Sequence, residues 1–181
     1  MRRWTDVAAD VGATTRTSEK VARLAEYLRT LAPEELPVAV VFLSGRAFPE
    51  RDARTTGLGW SAISGAAMDL ARPGAGTMSA AYDQTSDLGS AVGLLLAGGG
   101  HEPAGEPPSL LDAAGAFAAI AEARGPAAKS AILRDLLARC DAGTAAYVAK
   151  ILSGELRIGL REGHLEAAIA RAFERDLAAV Q

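Results

Sequence analysis

Residues 20–45 (KVARLAEYLRTLAPEELPVAVVFLSG) and residues 129–154 (KSAILRDLLARCDAGTAAYVAKILSG) align with each other without a gap, and both end on Leu-Ser-Gly. A fixed offset of this kind is typical of a repeated structural unit. We therefore predict an internal duplication. The alternative is chance similarity between two amphipathic helix pairs. The seven identical positions are Lys20/Lys129, Ala22/Ala131, Leu24/Leu133, Leu28/Leu137, Leu43/Leu152, Ser44/Ser153 and Gly45/Gly154.

Helical periodicity runs through most of the chain. Residues 38–43 (VAVVFL) are rich in β-branched side chains, which would also suit a buried strand. The aligned residues 144–152 are alanine-rich, with apolar side chains four apart, so we predict that both segments are helical. The expected fold is all-α, with about eight to ten short to medium helices. Beyond the two copies, helices are predicted at residues 60–70, 78–86, 88–97, 109–124 and 163–180.

Two segments contain turn-forming residues and no helical signal. Residues 72–76 (RPGAG) form a short predicted break, and residues 98–108 (GGGHEPAGEPP) form the longest one. We predict one domain, residues 1–181, with two lobes related by the duplication, at about residues 1–97 and 109–181. The lobes should pack side by side, because neither has enough helices to bury both faces of its own.

Composition excludes several classes of protein. With 49% hydrophobic residues the chain can form a core, and its net charge of −3 excludes a strongly basic binding module. No apolar run reaches the roughly 20 residues of a membrane span. No apolar signal core follows Met1, so a cytoplasmic location is expected. The single cysteine, Cys140, is expected to pack as a small hydrophobe, and Trp4 and Trp60 as packing residues.

Glycine and arginine alternate with apolar residues just after the second Leu-Ser-Gly, in residues 154–163 (GELRIGLREG). Glycine lets a backbone approach a ligand closely, and free amides at a helix start bind phosphate. Arg157 and Arg161 would add charge-assisted hydrogen bonds. Gly45 and Arg46 stand at the equivalent place in the first copy. We hypothesise two phosphate-binding turns that hold two strands of a duplex. The alternative is ordinary helix C-caps with solvated arginines.

Residues 147–160 (YVAKILSGELRIGL) resemble the signature of the N-terminal, all-helical DNA-binding domain of ATP-dependent DNA ligases. Three shorter stretches resemble the same domain: residues 20–25 (KVARLA), 57–60 (GLGW) and 86–89 (SDLG). The likeness covers nearly the whole chain. It is strongest to the compact bacterial ligases, in which this domain precedes the catalytic core.

The resemblance implies a domain that lies along the minor groove of nicked duplex DNA and grips phosphates on both sides of the break. Such a domain binds without sequence preference and positions the nick for the catalytic core in repair or replication. The implied partners are nicked double-stranded DNA and the adenylation and oligonucleotide-binding domains of the same polypeptide, in a monomer. The candidate DNA-binding residues are Gly154, Arg157, Gly159, Arg161, Lys150, Gly45 and Arg46.

The resemblance also implies that catalysis lies outside this chain. Ligases of this family attack ATP with the lysine of a Lys-x-Asp-Gly motif, and Lys20, Lys129 and Lys150 all lack that context. We expect no catalytic residue, cofactor or metal site here, and ATP and Mg²⁺ only in the full-length enzyme. Glu155 weakens the positive field of the turn, which predicts weak DNA binding by the isolated domain. Two alternatives remain, a helical protein-interaction module and a stand-alone repair factor without ligase activity.

Overall fold

The computed structural model describes residues 1–72, 74 and 76–180, and over these ranges it contains ten α-helices and no β-strand. The predicted all-α fold is confirmed, and residues 38–43 are helical. No helix in the described ranges is long and apolar enough to cross a bilayer. The helices are α1 (Arg2–Ala13), α2 (Thr17–Leu28), α3 (Glu35–Leu43), α4 (Trp60–Leu70), α5 (Met78–Thr85), α6 (Leu88–Gly98), α7 (Leu110–Glu122), α8 (Pro126–Ala138), α9 (Ala142–Ser153) and α10 (Glu162–Phe173).

The N-terminal helix, α1, is absent from the sequence-based prediction. It buries Trp4 and Val11, which lie seven residues apart on one helical face. The Trp4 indole N–H donates to the Ala39 carbonyl at 3.2 Å. The indole also packs edge-on against the rings of Phe42 and Tyr147, with centroids 6.1 and 6.0 Å away. Trp4 therefore joins α1 to α3 of the first copy and to α9 of the second.

One continuous hydrophobic core joins all ten helices of the described chain. Its most extensive helix pairs cross the midpoint of the sequence: α6 packs on α9, α10 on α2, and α4 on α8. Each half therefore supplies the packing partners of the other half. This arrangement buries helix faces that neither half could cover alone.

Two glycines let α6 and α9 approach each other closely. A Cβ atom added at Gly89 would lie 2.5 Å from the Ala146 carbonyl oxygen, and one added at Gly93 would lie 3.0 Å from the Ala146 Cβ. Gly89 closes the 86–89 stretch that resembles the ligase domain. The need for glycine at this position is therefore a packing requirement between two helices.

The chain leaves helical geometry earlier than predicted near its C terminus. Helix α10 ends at Phe173, because Glu174 adopts a left-handed conformation (φ 51°) and the Arg175 amide donates to the Ala170 carbonyl at 3.0 Å. The prediction of a helix over residues 163–180 is therefore wrong beyond Phe173. A short 3₁₀ turn, Leu177–Ala179, follows.

The predicted break at residues 72–76 lies only partly within the described chain. Pro73 and Ala75 are outside the described residues, as is Gln181, the predicted end of the second lobe. Gly74 and Gly76 are not helical and have positive φ angles of 94° and 89°. These two glycines are consistent with the predicted turn.

Cys140 is fully buried, as expected, and burial raises the pKa of its thiol to about 12. Trp4 is also buried. Trp60 packs at the surface and not in the core, because 44% of its surface is exposed. Its ring packs edge-on against the ring of Tyr82, with centroids 4.6 Å apart.

The mid-chain loop between α6 and α7 is exposed over most of its length but is tied to its surroundings by backbone carbonyls and amides. The Ala104 amide donates to the Ala138 carbonyl at 2.7 Å, and the N-terminal ammonium of Met1 donates to the Pro108 carbonyl at 2.9 Å. Arg139 Nε donates to the carbonyl of Glu106 at 2.8 Å. These contacts fix the path of the loop while leaving its acidic side chains in solvent.

A glutamate-specific protease should cut the folded chain first at Glu102 or Glu106. Glu102 has 84% of its side chain exposed, and neither residue is in a helix that must unfold before cleavage. Mass spectrometry of the earliest fragments tests this expectation. First cuts at Glu26 in α2 or at Glu166 in α10 would contradict it and would show that a helix opens more readily than the loop.

Candidate nucleic-acid interface

Helix α9 ends at Gly154, whose positive φ of 72° turns the chain away from the helix axis. The Gly154 amide donates to the Ile151 carbonyl at 3.2 Å, and the Glu155 amide donates to the Lys150 carbonyl at 3.0 Å. These two bonds satisfy two of the carbonyl groups at the helix end. Residues 154–161, hereafter the 154–161 turn, therefore begin from a fixed point.

Side chains alternate in direction along the 154–161 turn, as the sequence predicted. Leu156 and Ile158 are buried, whereas Arg157 and Gly159 are exposed. Within residues 156–160, all of which the structure describes, no backbone amide donates to a protein acceptor. A stretch of free amides beside an exposed arginine can bind an anion.

Lys20 of α2 holds the far end of this turn. Its side chain is buried, and its ammonium donates to the carbonyls of Ile158 and Gly159 at 2.6 and 3.0 Å. Gly159 has a positive φ of 60°, and a Cβ atom there would lie 3.0 Å from Lys20 Nζ. Lys20 therefore fixes the backbone whose amides are free.

The end of α3 has the same geometry as the end of α9. Gly45 has a φ of 78°, and its amide donates to the Phe42 carbonyl at 2.9 Å. The Arg46 amide donates to the Val41 carbonyl at 3.3 Å. The two Leu-Ser-Gly segments thus end their helices with matching pairs of capping bonds.

The two aligned lysines also make matching contacts. Lys129 of α8 donates to the Thr56 carbonyl at 2.7 Å, one residue before Gly57, which has a positive φ of 62°. Lys20 likewise contacts the carbonyl before Gly159. Each lysine contacts the other half of the chain. Lys129 binds the segment between α3 and α4, and Lys20 binds the segment between α9 and α10. Gly57 and Gly159 each lie three residues before the next helix begins. The duplication remains a hypothesis, which these paired contacts support.

The structure brings four of the seven candidate residues around one cleft of about 200 Å³, namely Gly45, Gly154, Arg157 and Gly159. Arg46 and Arg161 line a separate groove between α3 and α10. There the Arg46 side chain forms an ion pair of 3.2 Å with Glu50. The two helix ends are therefore neighbours, although their arginines point in different directions.

A polar hollow of about 560 Å³ lies between the 154–161 turn and the α1–α2 loop. None of the described residues that line it is acidic, and three of them, Lys20, Arg157 and Arg161, are basic. Thr15 and Thr17 add exposed hydroxyl groups that sequence reasoning missed, because α1 and its loop were not predicted. The lining residues are Gly12, Thr14, Thr15, Thr17, Lys20, Arg157, Ile158, Gly159, Arg161 and His164.

Comparison with known proteins identifies the family. Residues 1–170 match the family model described as DNA ligase N terminus. The chain belongs to this family. It is 39% identical to a probable DNA ligase of Koribacter versatilis, over 94% of this chain and 29% of that protein. It is 38% identical to a probable DNA ligase of Opitutus terrae, over 96% of this chain and 20% of that protein. A DNA ligase of Halobacterium salinarum is 33% identical over 96% of this chain and 33% of its own length. The chain thus spans a fifth to a third of the length of these ligases.

The two arginines of the turn in this ligase N-terminal domain differ in their surroundings. Arg157, half exposed and with a positive φ of 50°, donates from Nη1 to the Ser86 carbonyl at 3.0 Å. Its guanidinium also lies 2.6 Å from a Glu155 carboxylate oxygen and 3.8 Å from an Asp87 oxygen. Arg161 is exposed and forms no ion pair with a described residue. Arg161 is therefore the freer of the two cations.

Lys150 of the ligase N-terminal domain makes an internal contact. Its ammonium lies 2.5 Å from Asp87 Oδ1, and both side chains are largely buried between α6 and α9. Burial raises the pKa of Asp87, but hydrogen bonds from Lys150 and from the Ser90 amide lower it by more, so the net shift is downward. The Asp87 carboxylate is therefore ionised at neutral pH, and the Lys150 ammonium is held by it.

Proposed function

We propose that this chain is the DNA-binding domain of an ATP-dependent DNA ligase and holds the backbone phosphates of nicked duplex DNA across the minor groove. The observation that carries the proposal is the polar hollow beside the 154–161 turn. Its described lining combines Arg157, Arg161, Lys20 and hydroxyl groups with no carboxylate. Arg161, which is exposed and forms no ion pair with a described residue, is the cation of this hollow best placed for an anionic ligand, and the half-exposed Arg157 lies beside it.

The geometry of the turn fits phosphate oxygens. The amides of residues 156–160 have no acceptor among the described residues, and Thr15 and Thr17 add hydroxyl donors to the lining of the hollow. Gly45, at the end of α3, lies against the 154–161 turn, since a Cβ atom added at Gly45 would be 3.4 Å from the Leu156 Cβ. Contacts to phosphate position a duplex without reading its sequence. Binding should therefore be independent of base sequence.

The contribution of this domain to ligation is positional. Because the relatives are three to five times longer, we assign the chemistry to adenylation and oligonucleotide-binding domains of the same monomeric, cytoplasmic polypeptide, with ATP and Mg²⁺. This chain would act in repair or replication by holding the nick at those domains. Such positioning replaces a bimolecular encounter by an intramolecular one.

Fluorescence anisotropy with two unrelated nicked duplexes, at low and at moderate salt, tests the proposal. We expect equal affinities for both sequences, with a dissociation constant of about 10⁻⁶ M or weaker at physiological salt. The affinity should fall steeply as the salt concentration increases. Glu155 and the net charge of −3 keep the affinity low. A strong preference for one sequence would contradict phosphate binding.

Replacing Arg161 or Arg157 by alanine should weaken binding several-fold on every sequence. It should also reduce the salt slope, the slope of the logarithm of the association constant against the logarithm of the salt concentration, by about one unit in magnitude. Both side chains are exposed, so the melting temperature should stay within a few degrees of the wild type. Arg2→Ala is the matched control, because Arg2 is an exposed arginine at the opposite end of α1 from the hollow. Unchanged affinity of both variants, with intact melts, would favour the helical protein-interaction module.

A further inference from the structure

Two large aromatic rings are exposed together beside the 154–161 turn. Trp60 begins α4 and Tyr82 lies on α5, and 44% and 37% of their surfaces are accessible. Their rings pack edge-on, with centroids 4.6 Å apart. The other tryptophan, Trp4, is buried in the core. An exposed aromatic pair in a protein with few aromatic residues marks a surface that can bind a partner.

The position of the pair connects it with the phosphate-binding surface. Trp60 and Tyr82 line a cleft of about 260 Å³ together with Leu152, Ser153 and Glu155. These last residues flank Gly154, at the start of the 154–161 turn. A strand whose phosphates lie along the turn would therefore continue past the two rings.

The lining of the cleft indicates which part of a nucleotide it fits. No basic residue is among the described residues that line it, and Glu155 lies at its edge. A phosphate would meet no cation among these lining residues, whereas the deoxyribose and base edge are uncharged and need none. Apolar side chains contact duplex DNA in the minor groove with little dependence on sequence.

We propose that Trp60 and Tyr82 form an apolar contact for the sugar and base edge of the DNA strand whose phosphates are held by the 154–161 turn. This inference rests on the proposed function. It divides the interface into two parts. The arginines and amides supply a salt-dependent contact, and the aromatic pair supplies a contact that salt does not screen.

Tryptophan fluorescence tests the contact directly, because only Trp60 is accessible to a quencher. A nicked duplex should shield Trp60 from acrylamide, a neutral quencher that leaves the ionic strength unchanged. Trp60→Ala should lower affinity about tenfold without changing the dependence of affinity on salt, since an apolar contact is lost and no charge is removed. Trp60→Phe should keep most of the affinity. Phe173→Ala is the matched control, because Phe173 is an exposed aromatic residue at the far end of α10.

The possible outcomes separate the two proposals. If anisotropy reports binding while Trp60 stays fully quenchable and Trp60→Ala binds like the wild type, the aromatic contact is overturned and phosphate binding stands. If the wild type gives no anisotropy change with any duplex, the DNA-binding function fails, and the aromatic contact fails with it. A thermal melt checks that Trp60→Ala folds. If it does not, the shielding of the wild type and the affinity of Trp60→Phe decide the question.

Discussion

Replacing Gly89 with alanine will lower the stability of the domain by about 3 kcal/mol, equivalent to a drop of about 6–12 °C in melting temperature. The added Cβ would lie 2.5 Å from the Ala146 carbonyl oxygen and 3.0 Å from the Lys150 amide nitrogen. These are backbone atoms of α9 and cannot rotate away. Helices α6 and α9 must therefore separate, and the most extensive helix contact of the fold is weakened. Thermal unfolding followed by circular dichroism measures the effect.

Gly115→Ala is the matched control for this substitution. Gly115 also lies inside a helix, α7, but a Cβ atom there would meet no other atom within 4 Å. Alanine is the better helix former, so this variant should gain roughly 0.5–1 kcal/mol. Equal melting temperatures for the two variants would show that α6 and α9 can separate without cost.

Lys150→Met will destabilise the domain by about 3 kcal/mol, because it leaves the Asp87 carboxylate buried without its main partner. Methionine keeps the Cγ atom that packs against Gly89, so the loss comes chiefly from the charge. Arg157 Nε, 3.8 Å from Asp87 Oδ2, can replace only part of the lost ion pair. Urea denaturation at neutral pH measures the change.

The double variant Lys150→Met/Asp87→Asn should recover most of this stability. Asparagine keeps an oxygen that can accept the hydrogen bond from the Ser90 amide, and it leaves no unpaired charge. The pH dependence provides an independent check. Because the pKa of Asp87 is lowered in the folded state, the ion pair stabilises fully above the ordinary carboxyl range and is lost as the pH falls through the folded pKa. The difference between wild type and Lys150→Met should therefore narrow in acid.

DNA binding by Lys150→Met decides what this lysine does. If Lys150 acts by holding Asp87, the folded variant at low temperature should bind nicked duplex with the salt slope of the wild type. A salt slope reduced by about one unit would instead indicate that Lys150 contacts a phosphate.

The sequence predicted those features that depend on local pattern. Residues 38–43 favour a strand by composition, and only the comparison with residues 144–152 identified them as helical. The alternation of Leu156, Arg157, Ile158 and Gly159 predicted which side chains are buried in the turn, and the structure agrees. In both instances the relevant information lies within a few neighbouring residues.

Features that depend on contacts between distant segments could not be predicted in this way. Lys150 has the same local surroundings whether it faces DNA or Asp87, and only the packing of α6 on α9 distinguishes the two. Helix α1 was missed although Trp4 and Val11 show helical spacing, because charged residues dilute its apolar pattern. Helix α10 was extended too far because a left-handed conformation at Glu174 has no signal comparable to a glycine.

The hydrogen bonds of Lys20 and Lys129 mean that each half of the sequence holds a backbone segment of the other half in place. Lys20 holds carbonyls 138 and 139 residues further along the chain, and Lys129 holds one 73 residues earlier. A deletion at the N terminus that removed Lys20 would thus release the 154–161 turn near the C terminus. The segment at Thr56, which Lys129 holds, would stay in place. The two halves are therefore interdependent, because each supplies the lysine that fixes a backbone segment of the other.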